Sequence, residues 1–185
     1  MAEHSDNVKV HVLRLSHRIG RDKRVTMHLL LTARAFGAEK VIYTGQRDEG
    51  MEKRIRRVVK FWGGPFEVEY RRSWKQVITE WRRRNGEIIH LTMYGLPVQD
   101  VISKIKSSGK DKLIVVGSEK VPRELYEVSD WNVSVTSQPH SEISALCIFL
   151  HEFFGGKELS KKFSDAKIEL IPQPRGKKVI YKGRR

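Results

Sequence analysis

Apolar residues alternate with polar ones along Val8–Leu15, then recur every three to four positions across Val25–Phe36, so a strand should lead into a helix. This change of period repeats down the chain. Further strands are expected at Lys40–Thr44, Phe66–Tyr70, Glu87–Leu91, Leu113–Val116 and Asn132–Thr136. Helices fit between and after them at Glu49–Trp62, Trp74–Arg84, Val98–Lys106 and His140–Phe154. Gly37, Gly63-Gly64-Pro65, Asn85-Gly86, Gly109 and Gly155-Gly156 stand where helices should stop, and Ser73 stands where a hydroxyl would cap one. Such an order predicts an α/β domain with a largely parallel sheet and helices on both faces. Past Gly156 the pattern weakens to two short apolar runs, Ile168–Ile171 and Val179–Tyr181, among prolines and basic residues. The expectation is one domain over 1–156 and a basic, hairpin-like extension over 157–185.

The stretch from Asp130 to Phe154 carries the most chemistry. Trp131, Val133 and Val135 alternate as in a strand, a polar elbow follows, and an apolar helix begins. A strand entering a helix brings free N–H groups and the positive end of the helix dipole together. Two other strand ends resemble it: Glu87–Leu91 runs into Thr92-Met93-Tyr94-Gly95, and Leu113–Val116 into Gly117-Ser118-Glu119-Lys120-Val121-Pro122. Loops at the carboxyl edge of a parallel sheet are where ligands bind, so the three are expected to share a pocket. Gly95 and Gly117 allow close backbone approach, and Met93 and Tyr94 offer surface for a flat ring.

Charge narrows the partner. The 185 residues hold 36 Lys+Arg against 22 Asp+Glu, a net charge of +14. A surface built only of ion-pair networks enriches both signs, so this excess points to a polyanion such as RNA. Arg14, His17, Arg18, Arg21, Lys23 and Arg24 cluster where the first strand gives way to the first helix, as an anion site requires. Lys53, Arg54, Arg56, Arg57 and Lys60 form a second block, and Arg71-Arg72 with Arg82-Arg83-Arg84 a third. The single cysteine, Cys147, lies among apolar helix positions and reads as a small core residue. No P-loop, no zinc-type His/Cys spacing and no long apolar run occur, so neither a metal nor a membrane is expected, and a cytoplasmic setting is.

The segments HVLRLSHRIGRDKRVTMHLLLTARAFGAEKVIYTG, HLTMYG, VVGSEKVP and SQPHSEISALCIFL, in this order over Lys9–Phe154, resemble the archaeal tRNA (cytidine-56) 2′-O-methyltransferases. That family belongs to the SPOUT class. The resemblance implies a deep C-terminal trefoil knot, which rules of chain connection alone would have rejected. It also implies S-adenosylmethionine as cofactor, a homodimer that completes each site, and the T-loop or elbow of tRNA as substrate. The cofactor loops carried over are Leu91, Thr92, Met93, Tyr94 and Gly95; then Gly117, Ser118, Glu119, Lys120 and Val121. The third is the elbow of Val135, Thr136, Ser137, Gln138, Pro139, His140, Ser141 and Glu142.

Two positions depart from the wider pattern. Leu31 stands where related ribose methyltransferases carry an arginine before an AxxFG element, with Val25 nearest their asparagine, and Ser137 stands where asparagine is expected. The catalytic candidates are therefore Arg21 and Arg24, with Arg18 and His28 as substitutes. A knotted RNA-binding protein without turnover, or an enzyme acting at another tRNA or rRNA position, fits the charge equally well.

Overall fold

The computed structural model describes residues 8–117 and 120–183. In chain order it runs β1 (Val10–His17), α1 (Ile19–Ala35), β2 (Lys40–Gly45), α2 (Glu49–Trp62), β3 (Glu67–Tyr70) and α3 (Trp74–Arg83). It continues with β4 (Glu87–Pro97), α4 (Val98–Ser107), β5 (Lys112–Val116), α5 (Arg123–Val128), β6 (Trp131–Ser134) and α6 (Glu142–Phe154). These six strands form one parallel sheet in the order β3-β2-β1-β5-β4-β6. A short 3-10 turn, Lys157–Ser160, leads to an antiparallel hairpin of β7 (Ile168–Ile171) and β8 (Lys178–Tyr181).

Strand pleating sorts the side chains. Val10, Val12, Val41, Tyr43, Ile89, Leu91, Ile114 and Val133 join a core with residues of α1, α2, α4 and α6. Leu13, Leu15, Ile42, Ile88, Leu113 and Val115 face the other way, against Val77, Ile78 and Trp81 of α3 and Leu125 of α5. Strand β5, covered on both faces, is buried along its whole length. At the amino end of the sheet Lys112 is buried, and its Nζ meets Glu87 Oε2 at 2.6 Å while Trp131 Nε1 donates to Glu87 Oε1 at 2.8 Å. Thus β5, β4 and β6 share one satisfied ionic group, and removing either charge would strand the other.

Helix ends follow the expected chemistry. Ser73 Oγ accepts from the Gln76 N–H at 3.4 Å, and Ser141 Oγ from the Ile143 N–H at 3.1 Å. Gly155 ends α6 in the left-handed region at φ 62. Two boundaries shift by several residues from the sequence reading, and one helix is added. Helix α1 begins at Ile19, not Val25, because the Asp22 carboxylate reaches back to the Arg18 N–H at 3.1 Å and Arg18 O accepts from Asp22 N at 2.7 Å. The basic cluster is therefore split between β1, which carries Arg14 and His17, and the cap and first turns of α1, which carry Arg18, Arg21, Lys23 and Arg24. Helix α5, unforeseen, is too short to show a period. Strand β4 runs on to Pro97: Leu91 and Leu96 both pair with Val133, so Thr92–Gly95 bulge out and the chain returns to the same neighbour.

The imidazole of His11 lies at the amino end of β1, tilted on the Trp81 ring with centroids 4.9 Å apart. Burial, reinforced by Lys40, pulls its pKa from 6.5 down to about 4. Burial lowers those of His17 and His90 as well. These rings are neutral when folded and bind protons more readily when unfolded. Stability should be full above the unfolded value of 6.5 and fall as pH drops from there towards 4. Thermal unfolding between these limits should show that slope, and His11→Gln should flatten it.

Candidate cofactor and substrate site

The order of strands reverses at β1 and β5, and a cavity of about 590 Å³ opens beyond their carboxyl ends. Its walls draw on all three marked loops and on the first basic cluster. The β4 bulge supplies Leu91, Thr92, Met93 and Tyr94; the turn after β5 supplies Gly117 and Val121; the elbow before α6 supplies Pro139, His140 and Glu142. The start of α1 adds Arg18, Arg21, Asp22 and Val25. Ser118 and Glu119 lie outside the described residues.

Other expected residues do not line it. Gly95 packs on β6, where an added Cβ would come within 2.5 Å of the Asn132 and Val133 backbone. Val135 packs into the core, and Lys120 is exposed. Thr136 shapes the elbow, its Oγ1 accepting from the Gln138 N–H at 3.2 Å and its carbonyl from Ser134 Oγ at 2.8 Å. Ser137 is exposed there, and Ser141 serves as the α6 cap. Arg24 and His28 are exposed on α1, off the cavity wall.

Arg14, counted in the basic cluster but not among the catalytic candidates, is the centre of the arrangement. It shares the inward face of β1 with Val10 and Val12 and is 1% exposed. Its Nη1 donates to the carbonyl of Gly117, and its Nη2 meets Glu142 Oε1 at 3.1 Å. One planar fork thereby joins the end of β1, the turn after β5 and the first residue of α6. Burial lowers its pKa, opposed by Glu142 and then Asp22. The next residues explain how β1 can end so sharply. Ser16 adopts φ 56, its N–H donates to Thr44 Oγ1 at 3.1 Å, and the β1–β2 register slips between Arg14 and His17. His17 is thereby turned inward, its Nδ1 2.9 Å from Thr26 Oγ1.

The remaining polar groups are held in place. Asp22 accepts from Arg18 Nε at 2.9 Å, and this bond holds its carboxyl below the usual range despite burial. Asn132 donates through Nδ2 to Tyr126 O at 2.9 Å, which leaves its Oδ1 to accept from His90 Nδ1 at 2.9 Å. His140 Nδ1 lies 2.7 Å from the carbonyl of Gln138 and donates to it, so in the neutral ring Nε2 is the acceptor. His90 and Tyr126, which also line the cavity, were not singled out. Tyr126 belongs to the unforeseen α5, and His90 carried no spacing signal. The walls suit a ligand with a flat apolar part, against Leu91, Met93, Val121 and Ala145, and a cationic part near Glu142.

Comparison with known proteins agrees with this architecture. The family model described as tRNA ribose 2′-O-methyltransferase, aTrm56, matches residues 62–180. A tRNA (cytidine(56)-2′-O)-methyltransferase of Methanothermobacter thermautotrophicus is 55% identical over 168 residues, covering 91% of this chain and 94% of its own. That of Thermococcus kodakarensis is 55% identical over 172 residues, covering 91% and 95%. Among solved structures, the A. aeolicus TrmH/SpoU tRNA modifying enzyme has a TM-score of 0.61 at 16% identity, covering 83% of this chain and 78% of its own. An AdoMet-bound rRNA methyltransferase from Sinorhizobium meliloti also reaches 0.61 at 17% identity, covering 83% and 59%. The structural likeness shows a shared SPOUT methyltransferase fold, and with sequence matches of this extent the chain belongs to the aTrm56 family of tRNA ribose 2′-O-methyltransferases.

Proposed function

We propose that this protein methylates the ribose 2′-hydroxyl of cytidine 56 in tRNA, with S-adenosylmethionine as methyl donor. The observation that carries the reading is the meeting of three loops and three arginines, Arg14, Arg18 and Arg21, around one cavity. Leu91, Met93 and Val121 would hold the adenine, and Glu142 would lie near the cationic part of the cofactor. Bound there, S-adenosylmethionine supplies a methyl group on a sulfonium whose departure as a neutral thioether needs no metal.

The protein's own contribution is to position the hydroxyl and relieve it of its proton. Arginine stays protonated, so Arg18 and Arg21 act as cations that bind phosphate and favour a developing alkoxide. His140 Nε2, the acceptor left by the bond to Gln138, takes the proton. Arg14 holds the loops in register and so acts by positioning.

Three further features belong to the same reading. A homodimer is supported by apolar side chains left exposed on the packed helices α1 and α6, namely Val25, Leu31 and Ile148, and by exposed Leu96 on β4. Packing there would bring Arg24 and His28 to a partner's surface. A trefoil knot is supported by β6 lying outside β4 while the Thr92–Gly95 bulge closes against it. The hairpin after Gly156 is an extension of the catalytic domain, and tRNA as substrate suits the cytoplasm. Among the described residues no helix is long and apolar enough to cross a membrane.

Mapping tests the reading. After incubation with an unmodified tRNA transcript and S-adenosylmethionine, nuclease fragments analysed by mass spectrometry should carry one added methyl, at the ribose of cytidine 56. Tight RNA binding with no added methyl would favour the alternative of a binding protein without turnover.

A further inference from the structure

A second cavity, of about 560 Å³, lies further along the same carboxyl edge, beyond β2 and β3. We propose that it binds the phosphodiester backbone of the tRNA away from the methylated nucleotide. The inference rests on tRNA being the substrate, and it adds where the rest of that molecule is gripped. Arg47, Tyr70, Arg71, Arg72 and Gln76 form the lining, which contains three guanidinium groups and no carboxylate. Carboxylates hold two of the three. Glu80 Oε1 and Oε2 take Arg71 Nη2 at 2.5 Å and Nη1 at 3.0 Å, and Glu69 accepts from Nη1 at 3.3 Å. Arg47 is anchored more loosely by Glu49 at 3.8 Å and Glu52 at 3.5 Å. An arginine already fixed from one side loses little freedom when its outer edge meets phosphate. Arg72 is exposed, and no carboxylate of a described residue pairs with it.

The patch is joined rigidly to the methylation site. Gln46, next to Arg47, donates its N–H to His17 O at 2.8 Å and accepts at Oε1 from the Ile19 N–H at 2.8 Å. Tyr70 Oη donates to the carbonyl of Gly45 at 3.0 Å. Strand β3 stands two places from β1, about 10 Å away at ordinary strand spacing. A backbone leaving the first cavity past Arg18 reaches the second within a few nucleotides. Three forked donors outnumber the one ring, Tyr70, which packs on Tyr43, so the contact should go chiefly to phosphate oxygens and depend little on sequence.

The test compares tRNA affinity, by fluorescence anisotropy, for the full-length wild type, Arg72→Glu, Arg72→Gln and Lys104→Glu. Lys104, in the last turn of α4, is at the opposite edge of the sheet and makes the same charge change as the first variant. Arg72→Glu should weaken binding about tenfold and Arg72→Gln about threefold, with a shallower dependence on salt, and Lys104→Glu should leave affinity within about twofold. Equal losses at the two positions would mean that only net charge matters and would overturn the proposal, as would unchanged affinity in Arg72→Glu. Because binding is read directly, a wild type that holds tRNA but leaves cytidine 56 unmethylated would count against the catalytic reading alone.

Discussion

Replacing Arg14 by methionine should lower kcat/KM for methyl transfer by about 100-fold, roughly 3 kcal/mol of lost transition-state stabilisation. The side chain touches both the Gly117 carbonyl and Glu142, so its loss unties the turn after β5 from the start of α6. Folding should suffer less than catalysis. Losing one member of a fully buried pair costs about 3–5 kcal/mol, but the Glu142 side chain is 30% exposed and can take up water, which argues for nearer 1–2 kcal/mol. Arg14→Lys keeps the charge without the planar fork and should fall between. Adding Glu142→Gln to the methionine variant should restore part of the stability and none of the activity. Calorimetric titration with S-adenosylmethionine, alongside thermal melting, separates these effects. Wild-type turnover in Arg14→Met would remove the residue from the account.

Gly95→Ala should be strongly destabilising. The new Cβ would sit 2.5 Å from the carbonyl of Asn132 and from Val133 N, which are backbone atoms of a paired strand and cannot swing aside. Forcing β4 away from β6 should cost about 3 kcal/mol, which for a chain of this size lowers Tm by about 9 °C. The same change at Gly20, an exposed helical position with nothing within 4 Å, should instead be neutral or stabilising by about 0.5 kcal/mol. Differential scanning calorimetry on the two variants checks the contrast. A Gly95→Ala protein melting with the wild type would mean that β4 does not return against β6 as described.

The two kinds of information in the sequence account for what could be read from it. Periodicity is local, and where a strand or helix presents one face to a core it marked the element well. α2 was legible for that reason, while β1 and β2, with a core on each face, showed as short apolar runs bounded by polar residues. The start of α1 was hidden because Arg18, Arg21 and Asp22 face the cavity and leave no apolar stripe over the first turn. The bulge in β4 was hidden because the apolar run stops at Leu91, and only the later pairing of Leu96 with Val133 continues the strand. Strand order depends on long crossovers, to which local patterns are blind. Arg14 did leave a trace, a charge on the buried face of an otherwise apolar strand, but its partners lie at Gly117 and Glu142, far along the chain. The matching motifs supplied what periodicity could not, namely the family and the expected ligand.

The most direct test uses two tRNA transcripts that differ in one atom, the 2′-oxygen of cytidine 56, with methyl incorporation from labelled S-adenosylmethionine as the readout. The ribose transcript should be labelled to about one methyl per tRNA, and the 2′-deoxy transcript should bind but take up none. Equal labelling of both would contradict the assignment of that hydroxyl as the methyl acceptor.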